Sequence, residues 1–335
     1  MIKRLIKSAL QNTVAFAGPH RWRGSGQLVI LMYHRVLPPD DPRYQDEQPG
    51  MIVHPDTFDM HLATMKRYFT VVDLAEWLQR ADSGDPLPDR AIAITFDDGW
   101  RDNHEYAQPI LERHNAPATI FLVSDMVGST GNYWPEQLAT AIRVAHDGEP
   151  DLWDTDPFAW LRDLHPPVVH ADNPERIDAA IVSAKARLND ATLRDRSTAM
   201  LNALGDPHKQ QPRALLDWSE IREMGSASFS FGSHTIDHTR LTDTLDDEAI
   251  EHQLVASKQA LEAEMESPVT LFCYPNGDHA PAAVRYAEQH YDAAVTTVAG
   301  WNTANTHRHT LRRIGVHEGN SETPDAFLAR LSGWI

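Results

Sequence analysis

The 335-residue sequence predicts an α/β fold, a deformed (β/α)7-type barrel carrying a helical insertion. Three observations point to it. Short apolar runs rich in β-branched residues alternate with segments of helical period, the pattern of βαβ units and a parallel sheet. About seven such units fit along the chain, which suits a barrel, although an open doubly wound sheet shows the same alternation. Between about residues 131 and 211 the alternation stops, and the sequence there reads as helix and loop.

The elements follow in order. Gln27–Tyr33 (QLVILMY) is a continuous apolar run, as in a strand buried on both faces. Asp56–Tyr68 places Phe58, Leu62 and Met65 on one helical face. Thr70–Val72 is a short strand, and Asp73 is set to cap a helix over Leu74–Arg80. A loop with Gly84, Pro86 and Pro88 leads to a second buried strand, Ala91–Phe96. A helix over Asn103–His114 and the strand Ala118–Val123 come next. In the insertion, Trp134–Val144 and Pro174–Leu204 are helical, and Asp151–Pro167 is rich in Asp, Pro and Trp. The insertion is expected to be a lid, a substrate-binding wall or a structural elaboration. Beyond it the rhythm resumes. Helices are expected over Asp217–Met224, Asp246–Glu266, Pro281–His290 and Thr323–Leu331. Strands are expected over Ser228–Phe231, Val269–Cys273, Asp292–Val298 and Leu311–Val316.

Composition narrows the function. Apolar residues make up 41% and charged residues 23%, the balance of a folded protein rather than a disordered one. Cys273 is the only cysteine, which excludes a disulfide scaffold. No apolar run approaches the length of a membrane span. The formal charge of −18 repels phosphate backbones, so nucleic acid is not an expected partner. Residues 1–26 are the one basic stretch. Ile2, Leu5, Ile6 and Leu10 share a helical face opposite Lys3, Arg4 and Lys7. Residues 2–10 are read as a frayed amphipathic terminus, with peripheral membrane contact and a cleaved signal as the other readings. The lone buried-looking cysteine and the poor signal favour the cytoplasm or its membrane face.

The candidate chemistry sits at three strand ends, where α/β enzymes place catalytic groups. Asp97 and Asp98 end the strand Ala91–Phe96. Two adjacent carboxylates repel, so burying both calls for a cation. His234 and His238, at i and i+4, follow the strand Ser228–Phe231 and Gly232. With Asp98 they offer two nitrogens and one oxygen, leaving positions for water and substrate. The third site is Cys273-Tyr274-Pro275-Asn276-Gly277, which reads either as a donor of a backbone N–H to an oxyanion or as an ordinary turn. Cys273 alternates with core residues and reads as buried.

Thr95-Phe96-Asp97-Asp98-Gly99, then His234-Thr235-Ile236-Asp237-His238, then Tyr274-Pro275-Asn276-Gly277, resembles the polysaccharide deacetylase family, the NodB-homology or carbohydrate esterase family 4 group. Met32-Tyr33-His34-Arg35-Val36 is similar to the opening strand of its exopolysaccharide-linked branch. The resemblance spans residues 28 to 327 apart from the insertion, and the barrel as a whole is assigned to 27–335. It implies metal-dependent hydrolysis of N-acetyl groups on an amino-sugar-containing glycan of the cell envelope or exopolysaccharide. With such a substrate, Trp134, Trp153 and Trp160 of the insertion are read either as stacking on sugar rings or as core residues. In that scheme Asp97 is the general base. Asp98, His234 and His238 hold a divalent metal, most often zinc, and the N–H of Tyr274 faces the oxyanion. The sequence departs from the family in two places. The third motif lacks the arginine that orients the base, for which Arg101, Arg240 and Arg312 are the substitutes. The general acid is His317, in Val316-His317-Glu318, or else His34. These departures keep a second reading open, a glycan-binding barrel with little or no turnover.

Overall fold

The computed structural model describes residues 11, 13–14, 16–18, 24, 26–146, 150–164, 174–205, 212–225 and 229–333. The amphipathic segment 2–10 lies outside them. The chain divides into two compact units, one comprising Met1–Leu37, Ile52–Gly128 and Leu215–Ile335, the other Pro38–Met51 and Ser129–Ala214.

The first unit holds the sheet. The strands of this unit are β1 (Gln27–Tyr33), β2 (Arg35–Val36), β3 (Ile52–Val53), β4 (Thr70–Val71), β5 (Ala91–Phe96), β6 (Ala118–Leu122), β7 (Phe229–Ser233), β8 (Leu271–Cys273), β9 (Ala293–Val295), β10 (Asn302–Thr303) and β11 (Ile314–Gly315), with β2 and β3 paired as a separate small sheet. Strands β1, β5, β6, β7, β8 and β9 are parallel neighbours in that order. At the end of β9, Val295 bridges to Leu311. The same segment then becomes β11, whose Ile314 pairs with Leu31 of β1. The sheet thus returns to its first strand, as the predicted (β/α)7-type barrel requires. The deformation lies in shared edges. One edge of β1 serves both antiparallel β10 and β11. One edge of β5 serves β4 at Ala91 and Ile92 and β6 at Thr95 and Phe96.

All six residues of β5 are buried, which explains the unbroken apolar run. Helices Pro55–Tyr68, Leu74–Ser83, Gln108–His114, Trp218–Gly225, Asp247–Met265, Pro281–His290 and Pro324–Ser332 connect and flank the strands. Asp73 caps Leu74–Ser83 by accepting the N–H of Glu76, as expected from its position. The helix expected over Asn103–His114 opens differently, as a π turn at Asn103–Ala107 that runs into the α-helix at Gln108. The wide turn brings the N–H of Gln108 to the carbonyl of Asn103 and leads into Pro109, which has no N–H to give.

The second unit has its own core. Helices Trp134–His146, Pro174–Lys185 and Asp190–Ala203 pack Leu138, Ile142, Ile181, Leu193 and Met200 together. The expectation that the tryptophans stack on sugars is corrected here. Trp134 and Trp153 are core residues of this unit, and Arg196 covers the Trp160 ring at 4.9 Å. Pro38–Met51 also belongs to this unit, tied to Asp178 through the side chain of Gln48. Among the described residues, no helix is long and apolar enough to cross a membrane.

Candidate active site

Asp97 continues the β5 ladder through its N–H to the Tyr33 carbonyl at 3.0 Å. The chain then turns sharply. Asp98 has φ of 75° and Gly99 has φ of 71°. Gly99 is required there twice over, since a Cβ would also lie 2.9 Å from Leu122 Cδ2. On the neighbouring loop Thr235 and His238 have φ of 67° and 63°. Three non-glycine residues in the left-handed region, two of them side chains of the predicted metal set, form the kind of strained cluster that marks functional sites.

The turn aims Asp98 at the two histidines. Its Oδ1 lies 3.4 Å from Nε2 of His234 and 3.4 Å from Nε2 of His238. Its Oδ2 accepts the indole N–H of Trp100 at 3.0 Å. His234 follows β7, and its Nδ1 lies 2.7 Å from the Cys273 carbonyl. A carbonyl only accepts, so Nδ1 carries a proton, and Nε2 faces Asp98 with a lone pair when the ring is neutral or a second proton when it is charged. Charge-assisted hydrogen bonds are shorter than 3.4 Å, at about 2.7–2.9 Å. By contrast, donors about 2.1 Å from a tetrahedral ion stand about 3.4 Å apart. The spacing and the N, N, O donor set therefore fit a divalent metal such as zinc.

The electrostatics agree. Burial works against ionisation of Asp98, yet His234 and His238 beside it hold its carboxyl well below the usual range. Burial favours a neutral His234, but the negative charges of Asp98 and Asp97 outweigh it, and the ring titrates well above its ordinary value. Asp97 and Asp98 carry two negative charges against one positive charge on Arg313, and the excess is met by a proton on His234 or by a cation in its place.

Arg313 corrects the sequence reading. None of the three named arginines meets Asp97. Arg313 does, with Nη1 to Oδ1 at 2.6 Å and Nη2 to Oδ2 at 2.7 Å. Its remaining donors go to Thr95 Oγ1, the Thr296 carbonyl and Cys273 Sγ. Burial pushes the Asp97 carboxyl up, but Arg313, His234 and His34 prevail and keep it below its usual value. Arg312, the neighbour that the sequence suggested, is exposed, and Arg101 pairs with Glu105 and Glu220. The available signal was two arginines inside an apolar strand run: alternation turns one of them inward, and a one-residue shift decides which.

His34, at the end of β1, brings Nε2 to 3.8 Å from Asp97 Oδ2. Burial lowers its pKa. His317 stands at the N-cap of the short helix Glu318–Ser321, where its backbone N–H donates to Asn320 Oδ1 at 3.0 Å. The expectation for Tyr274 is corrected. Its N–H donates to the Val295 carbonyl at 3.2 Å and is spent on the β8–β9 ladder. Its hydroxyl donates to the His309 carbonyl at 3.0 Å. The Pro275–Gly277 segment is a turn, with Asn276 and Gly277 at positive φ.

Two other donor groups come together without making a metal site. Cys273 and Asp97 both serve Arg313, and burial keeps the Cys273 thiol protonated. In the cluster of Glu288, His307 and His309, His307 Nδ1 accepts an N–H of its own turn, so Nε2 holds the proton facing Glu288.

A model of the family described as polysaccharide deacetylase matches residues 84–294, more than half of the chain. The chain belongs to the polysaccharide deacetylase family. The match includes Asp97, Asp98, His234, His238 and Tyr274, whereas His34, Arg313 and His317 lie outside it. Over 92 residues the chain is 32% identical to the poly-β-1,6-N-acetyl-D-glucosamine N-deacetylase of Staphylococcus epidermidis, and over 114 residues 27% identical to the YxkH protein of Bacillus subtilis. These alignments cover 28% and 33% of this chain, and 30% and 37% of those relatives. The deacetylase PplD of Streptococcus pyogenes superposes with a TM-score of 0.59 at 18% identity, over 92% of this chain and 99% of that one. IcaB of Ammonifex degensii superposes with a TM-score of 0.57 at 17% identity, over 92% and 98%. At these identities the likeness concerns the fold.

Proposed function

We propose that the protein is a metal-dependent deacetylase that hydrolyses N-acetyl groups of an amino-sugar-containing glycan of the cell envelope or exopolysaccharide. The observation that carries this reading is the convergence of Asp98, His234 and His238 beside a buried Asp97 locked onto Arg313. A divalent ion held by the three ligands supplies a Lewis acid for the amide carbonyl and lowers the pKa of water. The chain supplies the rest. Arg313 keeps Asp97 ionised and fixed in rotation. Asp97 takes the proton of the attacking water as its oxygen bonds to the acetyl carbon. As the C–N bond breaks, the departing nitrogen needs a proton, and His34 is the donor that the geometry favours, 3.8 Å from Asp97. Acetate and a free amine result.

The substrate class rests on the S. epidermidis relative, whose name specifies an N-acetylglucosamine polymer, and on the family itself. Arg313 weakens the non-catalytic alternative, because it fills the role of the arginine missing from the third motif. The test is acetate release from N-acetylhexosamine oligomers by the zinc-loaded protein beside Asp97→Asn. Turnover that falls by about 10²-fold or more in the variant supports the reading. Equal release by both, or none by a zinc-loaded wild type across such oligomers, contradicts it.

A further inference from the structure

Arg35 and Asp102 are two buried charges that the proposed reaction does not use. Arg35, in the Tyr33-His34-Arg35-Val36 segment, is 2% exposed, and Asp102 is 0% exposed. Arg35 Nε and Nη2 both reach Asp102 Oδ2 at 2.8 Å. The other oxygen, Oδ1, accepts the N–H of Val36 at 2.8 Å. The guanidinium carbon lies over the Trp100 indole, 4.1 Å from the ring centroid. The same indole donates its N–H to Asp98 Oδ2 at 3.0 Å. Asp102, Arg35, Trp100 and Asp98 thus form one continuous chain of contacts, running from the segment after β5 to β2 and back to the metal-ligand carboxylate.

A buried ion pair is costly to desolvate and contributes little to stability compared with apolar packing of the same volume. What such a pair can supply is a fixed geometry. Here the geometry is that of a ligand. Asp98 sits in a strained backbone conformation, and the Trp100 N–H holds its second oxygen so that Oδ1 faces both histidines. The indole holds that direction only if its plane is fixed, and the planar guanidinium on its face does this. Asp102 in turn sets the plane of the guanidinium through a charged pair and ties it to the backbone at Val36.

We propose that Arg35 and Asp102 are positioning residues for the metal, acting through Trp100 on Asp98. This rests on the metal-dependent reading above. It gives the Arg35 of the opening motif a role that neither the sequence nor the family match assigns.

The test is the zinc dissociation constant of the full chain, measured by chelator competition for wild type, Arg35→Lys, Trp100→Phe and the double variant, with the thermal midpoint of the metal-free protein alongside. Partners that orient a metal ligand typically change affinity by about 10–100-fold. Each single variant is expected to weaken zinc binding by about tenfold. The double variant is expected to bind no more weakly than Trp100→Phe alone, because both substitutions remove the same bond to Asp98. A purely structural Arg35 would lower the midpoint and leave the zinc affinity of the folded protein unchanged, and that result overturns the proposal. Independent losses that multiply in the double variant overturn it too. Should Arg35→Lys fail to fold, Asp102→Asn replaces it, since asparagine keeps an oxygen for Val36. A wild type that takes up no zinc would fail the metal reading itself, and this inference with it. Zinc uptake by the wild type with equal affinity in Arg35→Lys would fail the inference alone.

Discussion

Replacing Arg313 with methionine removes the cation from Asp97 while nearly keeping the volume of the side chain. Arg313 is 0% exposed and Asp97 is 3% exposed. All five N–H donors of the guanidinium are placed: two on Asp97, and one each on Thr95, Thr296 and Cys273. Methionine satisfies none of them and leaves a buried carboxylate without its counter-charge. Breaking a buried pair from one side costs about 3–5 kcal/mol. The expected loss of unfolding free energy for Arg313→Met is therefore about 4 kcal/mol. Removing the charge from both sides is cheaper. The double variant Asp97→Asn/Arg313→Met is expected to regain about 2 kcal/mol of that loss, a coupling within the range for direct partners. Denaturant unfolding of the wild type, both single variants and the double variant gives the cycle. Additive effects, or a loss below about 1 kcal/mol for Arg313→Met, would refute the reasoning.

Three further outcomes are expected. His61 is buried between the Tyr33 hydroxyl, which donates to Nδ1, and the Ser321 carbonyl, which accepts from Nε2, and burial lowers its pKa to about 4. The unfolded chain takes up the proton first, near pH 6.5, so the contribution of His61 is complete above that pH. About 3 kcal/mol is lost as pH falls from 6.5 to 4, and denaturant unfolding of His61→Gln should show a shallower slope over that window. Gly277→Ala places a Cβ 2.0 Å from Thr297 Oγ1 at φ of 80°, so it should destabilise by about 1–3 kcal/mol in the same assay. Zinc at about 100 times its dissociation constant should stabilise the wild type by about 2.7 kcal/mol in calorimetry and leave His234→Ala unmoved.

The strands were legible because buried parallel strands carry their signal in composition, as in β1 and β5. Their ends were less so. The strand expected at Ser228–Phe231 runs on to Ser233, since Gly232 lets the Phe121 ring approach a point where a Cβ would be 2.5 Å away. The strand expected at Leu311–Val316 contracts to Ile314–Gly315, because Leu311 bridges to β9 while Arg313 turns inward. Asp97, Asp98, His234 and His238 were readable because short motifs at strand ends bring them together. Arg313 and the Arg35–Asp102 pair were not. Arg313 lies 216 residues from its partner, and Arg35 lies 67 from Asp102. Local periodicity carries no information at that range. The partner of the Tyr274 N–H is hidden from the sequence for a related reason, since only the register of β8 on β9 shows that Val295 already accepts it.

The central claim is that Asp98, His234 and His238 hold a divalent ion, and its most direct test is the metal content of the purified protein. Elemental mass spectrometry of the wild type beside His238→Ala should find close to one equivalent of zinc or a similar divalent ion in the first and little in the second. A folded wild type that takes up no divalent ion after reconstitution, or a His238→Ala variant that keeps a full equivalent, would contradict the account.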